Sequence, residues 1–199
     1  MKLAPLISII GPEGAGKSTA VANLSKMLDG QKITHAVIFM GRGKGNIIPF
    51  NRWGGKHSAS GLENSSQATF KKKIIYSIAA CILVLDFQLR CLFHILPQRL
   101  QKEIVITDRY VTDLYNMRYV PLWLRKKAIL LFPKPKLTFY LYNDIGVLHA
   151  RKGRNLADLE WQLHNFSVLS KRFNAIQIKT GTEKETMVII QEEMSRLHL

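Results

Sequence analysis

Five short runs of β-branched and aromatic residues punctuate the chain: LISII at 6–10, HAVIFM at 35–40, EIVITD at 103–108, KLTFYLY at 136–142 and AIQIK at 175–179. Their length and unbroken apolar character predict buried strands. Between them the apolar period lengthens to that of a helix. In KSTAVANLSKMLDG, residues 17–30, Val21, Leu24 and Leu28 form one stripe, and Gly30 is expected to end the helix. Strands alternating with helices predict an α/β fold in three layers, a parallel sheet with helices on both faces. Such sheets bind ligands at the carboxyl ends of their strands. The glycine turn after the first run and Asp108 after the third both fall on that edge.

Two segments depart from this rhythm. IIYSIAACILVL, residues 74–85, is followed by Asp86 and Arg90 and is shorter than a bilayer-spanning helix, so a buried or interface helix is expected. Lys71, Lys72 and Lys73 just ahead of it leave peripheral contact with an anionic membrane as the alternative. Residues 41–66 carry Gly41, Gly43, Gly45, Gly54, Gly55 and Gly61 among many Ser and Asn, a connection long enough to predict a functional loop.

With 199 residues, 47% of them hydrophobic, the chain can bury one core, and a single domain over 1–199 is expected. Charge then narrows the partners. Lys and Arg total 29 against 14 Asp and Glu, a net +15, which points to anions: a nucleotide, a phosphorylated sugar, acidic lipid or nucleic acid. The aromatics are not interleaved with the basic residues as RNA readers require, which argues against nucleic acid. Cys81 and Cys91 are the only cysteines, too few for a disulfide framework or a four-ligand zinc site, and the six histidines show no metal spacing. The N-terminal MKLAPLISIIGPEG runs into the glycine turn without a small-residue cleavage site, so it reads as a strand rather than a signal peptide. A cytoplasmic location follows as the expectation.

The chemistry is carried first by GPEGAGKST. It fills the pattern G-x-x-x-x-G-K-[ST] between a predicted strand and a predicted helix, the context in which a phosphate-binding P-loop forms. Gly11, Pro12, Glu13, Gly14, Ala15, Gly16, Lys17, Ser18 and Thr19 make up the candidate set. The glycines let main-chain N–H groups turn inward, and the helix beginning near Lys17 adds its positive end. Lys17 would reach the outer phosphates of ATP, Thr19 an inner one, and the Ser18 hydroxyl would ligate magnesium. Asp108, ending a neighbouring strand, is the matching carboxylate for the metal shell. Arg109 beside it would place a guanidinium where charge moves between leaving and attacking oxygens. Arg151 and Arg154 flank Gly153 in HARKGRNLADLE, residues 149–160, and suggest a lid that closes and excludes water.

Four features in order, GPEGAGKST, DRY at 108–110, RKGRNLADLE at 151–160 and the closing AIQIKTGTEKETMVIIQEEM, resemble the thymidylate kinase family among P-loop nucleoside monophosphate kinases. The resemblance implies a five-stranded parallel sheet in the order 2-3-1-4-5, magnesium ATP as donor, transfer to a pyrimidine nucleoside monophosphate and often a homodimer. It implies Glu13 near the acceptor sugar, Arg109 bridging both phosphates, Tyr110 and Arg90 on the acceptor side, and Arg151 and Arg154 as lid arginines, since Gly14 stands where some members carry an Arg. The chain departs from the family at Arg42, where a carboxylate is usual, and at Asp86, four residues before Arg90, where an aromatic is usual; Asp86 and Arg90 also have the spacing of a helical ion pair. VTDLYNMRY after Asp108-Arg109-Tyr110 resembles a divergent branch associated with surface polysaccharide or lipid-linked sugar pathways, in which Asp113 would face the acceptor as a general base. Asp113 also fits a first-turn helix residue. Three readings stay open: a pyrimidine nucleotide kinase holding its acceptor monophosphate between Arg42, Arg90 and Arg109, a kinase of the same fold acting on a sugar, glycolipid or other small hydroxyl acceptor, and a non-catalytic ATP-binding module that contacts anionic membrane or nucleic acid.

Overall fold

The five apolar runs form β1 Leu6–Ile10, β2 His35–Phe39, β3 Ile104–Asp108, β4 Leu137–Tyr142 and β5 Ile176–Lys179. The computed structural model describes residues 3–42, 45–48 and 70–196. All pairings are parallel, in the order β2-β3-β1-β4-β5. The helices are α1 Lys17–Gly30, α2 Phe70–Arg90, α3 Leu96–Leu100, α4 Leu122–Leu130, α5 Ile145–Lys152, α6 Leu156–Phe173 and α7 Glu183–Arg196.

Alternate strand residues feed two cores, one on each face. Ile7, Ile9, Ile106, Phe139 and Leu141 pack with Leu24 and Leu28 of α1 and Ile190 of α7. On the other face, Leu6, Ile10, Val105 and Tyr140 pack with Phe87 of α2, Ile129 of α4 and Phe166 of α6. Burial on both sides is why β1, β3 and β4 read as unbroken apolar runs, whereas the edge strand β2 is only partly buried. The register sets Ile9 of β1 and Phe39 of β2 each beside Asp108 of β3, so the carboxyl ends of three strands meet at one edge.

α1 ends at Gly30, as expected, but the left-handed residue that closes the turn after it is Lys32, with φ 57. Lys32 N–H donates to Asp29 O and Ile33 N–H to Leu28 O, which satisfies the last carbonyls of the helix. One expectation is corrected: the apolar helix far exceeds residues 74–85. α2 is described from Phe70 and runs through a wide π turn, Cys91–Ile95, into α3. Asp86 and Arg90 break the apolar run in sequence but pair with each other at 2.6 Å, so neither stops the helix. Pro97 lacks the N–H for the next rung and its ring crowds the carbonyl four residues back, which accounts for the wide turn before it. Of the glycine-rich connection, Gly41, Arg42 and residues 45–48 are described; the rest of 41–66 lies outside the described residues.

Candidate functional site

The turn after β1 is shaped by close approach. Gly11 has φ 149, and a Cβ there would stand 2.1 Å from Leu141 O of β4. Gly14 has φ 85 and lies against Leu148 O and the Lys152 side chain, where a Cβ would be crowded. Gly16 precedes α1 with φ 80 and offers no side-chain cap. Main-chain N–H groups at the start of α1 are therefore left for an anion, next to the positive end of the helix. Ala15 is buried beneath the turn, and Pro12 contributes its carbonyl.

Lys17 is buried and donates from Nζ to Pro12 O at 2.6 Å. Burial, and next the Arg109 guanidinium, lower its pKa from 10.5 to about 8, against the opposing pull of Asp113, Asp108 and Glu13. Ser18 Oγ donates to Asp108 Oδ2 at 2.8 Å, bringing together the two groups expected to hold magnesium. Asp108 Oδ1 is buried without a hydrogen-bond partner. A hydroxyl and a carboxylate with a spare oxygen fit a hard divalent cation that keeps several waters. No cluster of three His, Cys, Asp or Glu side chains occurs among the described residues. Any metal here would therefore complete its shell with waters or with oxygens of a bound ligand.

Arg109 occupies a left-handed conformation, φ 65, unusual for a bulky residue. Its N–H donates to Ile9 O at 3.1 Å, and its guanidinium lies 3.5 Å from Asp113 and 5.9 Å over the Phe39 ring. A Cβ on Gly41 would strike both Arg109 and Phe39, so that glycine leaves room for the arginine. Asp113 lies in a 3-10 turn, Val111–Leu114, is largely buried, and also accepts the Arg42 N–H at 3.1 Å.

The segment 149–160 meets the turn as two helix ends, not as a loop. α5 closes at Gly153, φ 61, and α6 opens after Asn155, whose side chain accepts the Ala157 N–H. Arg154 Nε bonds Glu13 Oε2 at 2.6 Å, and Arg151 donates to Gly14 O at 3.2 Å. Gln162 of α6 accepts the Glu13 N–H at 3.0 Å. These helix ends wall a cleft of about 770 Å³, lined by Lys17, Arg109, Arg151, Lys152 and Arg154 against the carboxylates of Glu13 and Glu183. A cleft of that size and charge suits a polyphosphate ligand. Thr19 and Ser18 also line it.

The expected acceptor residues are dispersed. Tyr110 is 1% exposed; its hydroxyl donates to Pro133 O and its ring packs edge-on against Phe173, so it belongs to the core. Phe87 is likewise core. Arg90, as buried as Tyr110, pairs with Asp86 and donates to Gly41 O and the Asn46 side chain, while Asp86 accepts the Ile48 N–H at 2.8 Å. Together they fasten Gly41, Asn46 and Ile48 to α2. Arg42 is exposed and does not line the cleft.

One wall was not expected from sequence. Thr180, Gly181 and Thr182, between β5 and α7, and Thr186 of α7 line the cleft as well. Thr182 and Glu185 satisfy each other's N–H groups at the start of α7. The T-x-x-E spacing of this capping box was the available signal. The chain matches no protein-family model and no curated protein sequence.

Proposed function

We propose that the chain is a magnesium-dependent P-loop phosphotransferase of the thymidylate kinase type, moving the γ-phosphate of ATP to a pyrimidine nucleoside monophosphate. The observation that carries the reading is the convergence on one cleft of the glycine turn, Lys17, the Ser18–Asp108 pair, Arg109 and two arginines from a distant segment. In this reading the turn's N–H groups bind the donor phosphates, and Lys17 exchanges the Pro12 carbonyl for phosphate oxygens. Ser18 and Asp108 would hold magnesium, which supplies charge neutralisation at the phosphates. Arg109, Arg151 and Arg154 orient the phosphoryl group and stabilise its developing charge.

A second reading, a hydroxyl acceptor other than a nucleotide, is favoured by two observations: Arg90 is engaged by Asp86, Gly41 and Asn46, and Asp113 sits beside Arg109, where it could take a hydroxyl proton. Calorimetry with magnesium ATP tests the donor site, with binding expected and its absence fatal to both readings. Turnover on a panel of pyrimidine monophosphates then separates them. No activity above background on any of them, with ATP binding intact, leaves the second.

A further inference from the structure

We propose that the side of the molecule formed by α2 and α4 docks on an anionic lipid bilayer. This goes beyond phosphoryl transfer and stands independently of it. α2 and the turn after it expose Ile74, Ile78, Leu85 and Leu92, the last three 56%, 59% and 52% exposed. Spacings of four and seven residues put them on one helical stripe. α4 lies alongside: Gln88 donates to Leu131 O at 2.7 Å, and the Phe87 and Phe132 rings meet edge-on. α4 and its end add exposed Trp123 and Leu131. Apolar surface spread over two adjacent helices marks an interaction site.

Charge selects the occupant. From Phe70 to Lys102 the only acid is Asp86, buried and paired with Arg90, and from Arg118 to Lys136 there is none. Lys71, Lys73, Lys126 and Lys127 are exposed on the same two helices. The Lys127 ammonium stands 5.9 Å over the Trp123 ring, an apolar body beneath a charged head that suits the headgroup layer. A second copy of this chain would bring cations against cations, each copy carrying +15. Nucleic acid would leave the apolar stripe in water. Anionic headgroups over acyl chains satisfy both features at once. Residues 73–100 are long and apolar enough to cross a membrane by length and composition. Leu83 and Phe87 on the inner side of α2 are nevertheless part of the core, so the helix would lie along the bilayer rather than through it. The cleft is lined by other elements and stays open in this orientation.

The test uses the full chain and sedimentation with phosphatidylcholine vesicles, with and without about one-third phosphatidylglycerol. The paired variants are Ile78→Glu with Leu85→Glu, and Lys126→Glu with Lys127→Glu, all at exposed positions, so unchanged circular dichroism is expected. The parent should partition onto the anionic vesicles only, release with added salt, and lose about tenfold or more of its partitioning in either paired variant. Absence of partitioning, or equal partitioning onto neutral vesicles, overturns the proposal. So does a parent dimer in sedimentation velocity that the Ile78→Glu, Leu85→Glu pair converts to monomer, because a second copy then covers the face. Salt-sensitive binding to DNA with no vesicle binding overturns it equally.

Discussion

Lys17 shows how burial sets the behaviour of a single group. With its pKa lowered to about 8 it is half neutral near that pH, whereas a bound triphosphate favours the ammonium. Nucleotide binding should therefore take up roughly half a proton at pH 8 and weaken as the pH rises to 9. Calorimetry in two buffers of different ionisation enthalpy reads the uptake, and Lys17→Met should abolish it. The same shift acts on the free protein with a definite sign: between pH 8 and 10.5 the unfolded chain holds the proton that the folded chain has lost, so this group adds stability as pH rises through that window. Arg109 separates stability from chemistry. Its left-handed backbone, strained by about 1–2 kcal/mol in a non-glycine residue, is relieved in Arg109→Gly while the guanidinium is removed. We predict a Tm within about 2 °C of the parent and a kcat lowered about a hundredfold or more, with magnesium ATP affinity little changed. Loss of ATP affinity alone would reduce Arg109 to a donor-holding role. The sequence could place Arg109 beside Asp108, but neither its φ nor the burial of Tyr110 one residue later is a local property; both follow from how β1, β2 and the core pack around them.

Strands were legible to within a residue at each end: in β1, β3 and β4 both faces are buried and the apolar run is the strand itself, while the partly buried edge strands β2 and β5 still carry β-branched residues. Helix ends were harder. Gly30 marks the last residue of α1, but the left-handed residues that close α1, α3 and α6 with paired back-bonds are Lys32, Lys102 and Asn174, not glycine, so α3 and α6 lack the usual punctuation. That gives a direct prediction: Lys32→Gly and Lys102→Gly should each raise stability by about 0.5–1 kcal/mol, the backbone relief exceeding the added freedom of the unfolded chain. In thermal unfolding each should add about 1–4 °C, and a lowered Tm for both would contradict the strain argument. The long α2 was misjudged for a different reason. Asp86 and Arg90 look like the end of an apolar helix, yet pairing lets both stay buried while they tie down Gly41, Asn46 and Ile48. A carboxylate left without its arginine there would be costly, so the pair acts as one unit, with the connection to Gly41 as its product.

Across the whole molecule, the cleft is built from four places in the chain: the turn after β1, the end of β3, the joint between α5 and α6, and the start of α7. Motifs announced the first three. The fourth carries only small polar residues and a capping box, and it becomes a wall because β5 lies beside β4 at the sheet edge. Whether the segment 149–160 acts as a lid is decided by energetics. The Arg154–Glu13 pair is 42% and 27% exposed, and at such exposure an ion pair contributes only about 0–1 kcal/mol, so it does little for the fold. Arginines aimed at a transferring phosphoryl group contribute far more, about a thousandfold or more in rate. Replacing Arg151 and Arg154 together by Ala should therefore leave the nucleotide-free Tm nearly unchanged and lower phosphoryl transfer by about a thousandfold. Magnesium ATP at a hundred times its Kd should still stabilise the variant by about 2.7 kcal/mol, because the glycine turn and Lys17 remain. Turnover within tenfold of the parent would show that these arginines only decorate the rim of the cleft.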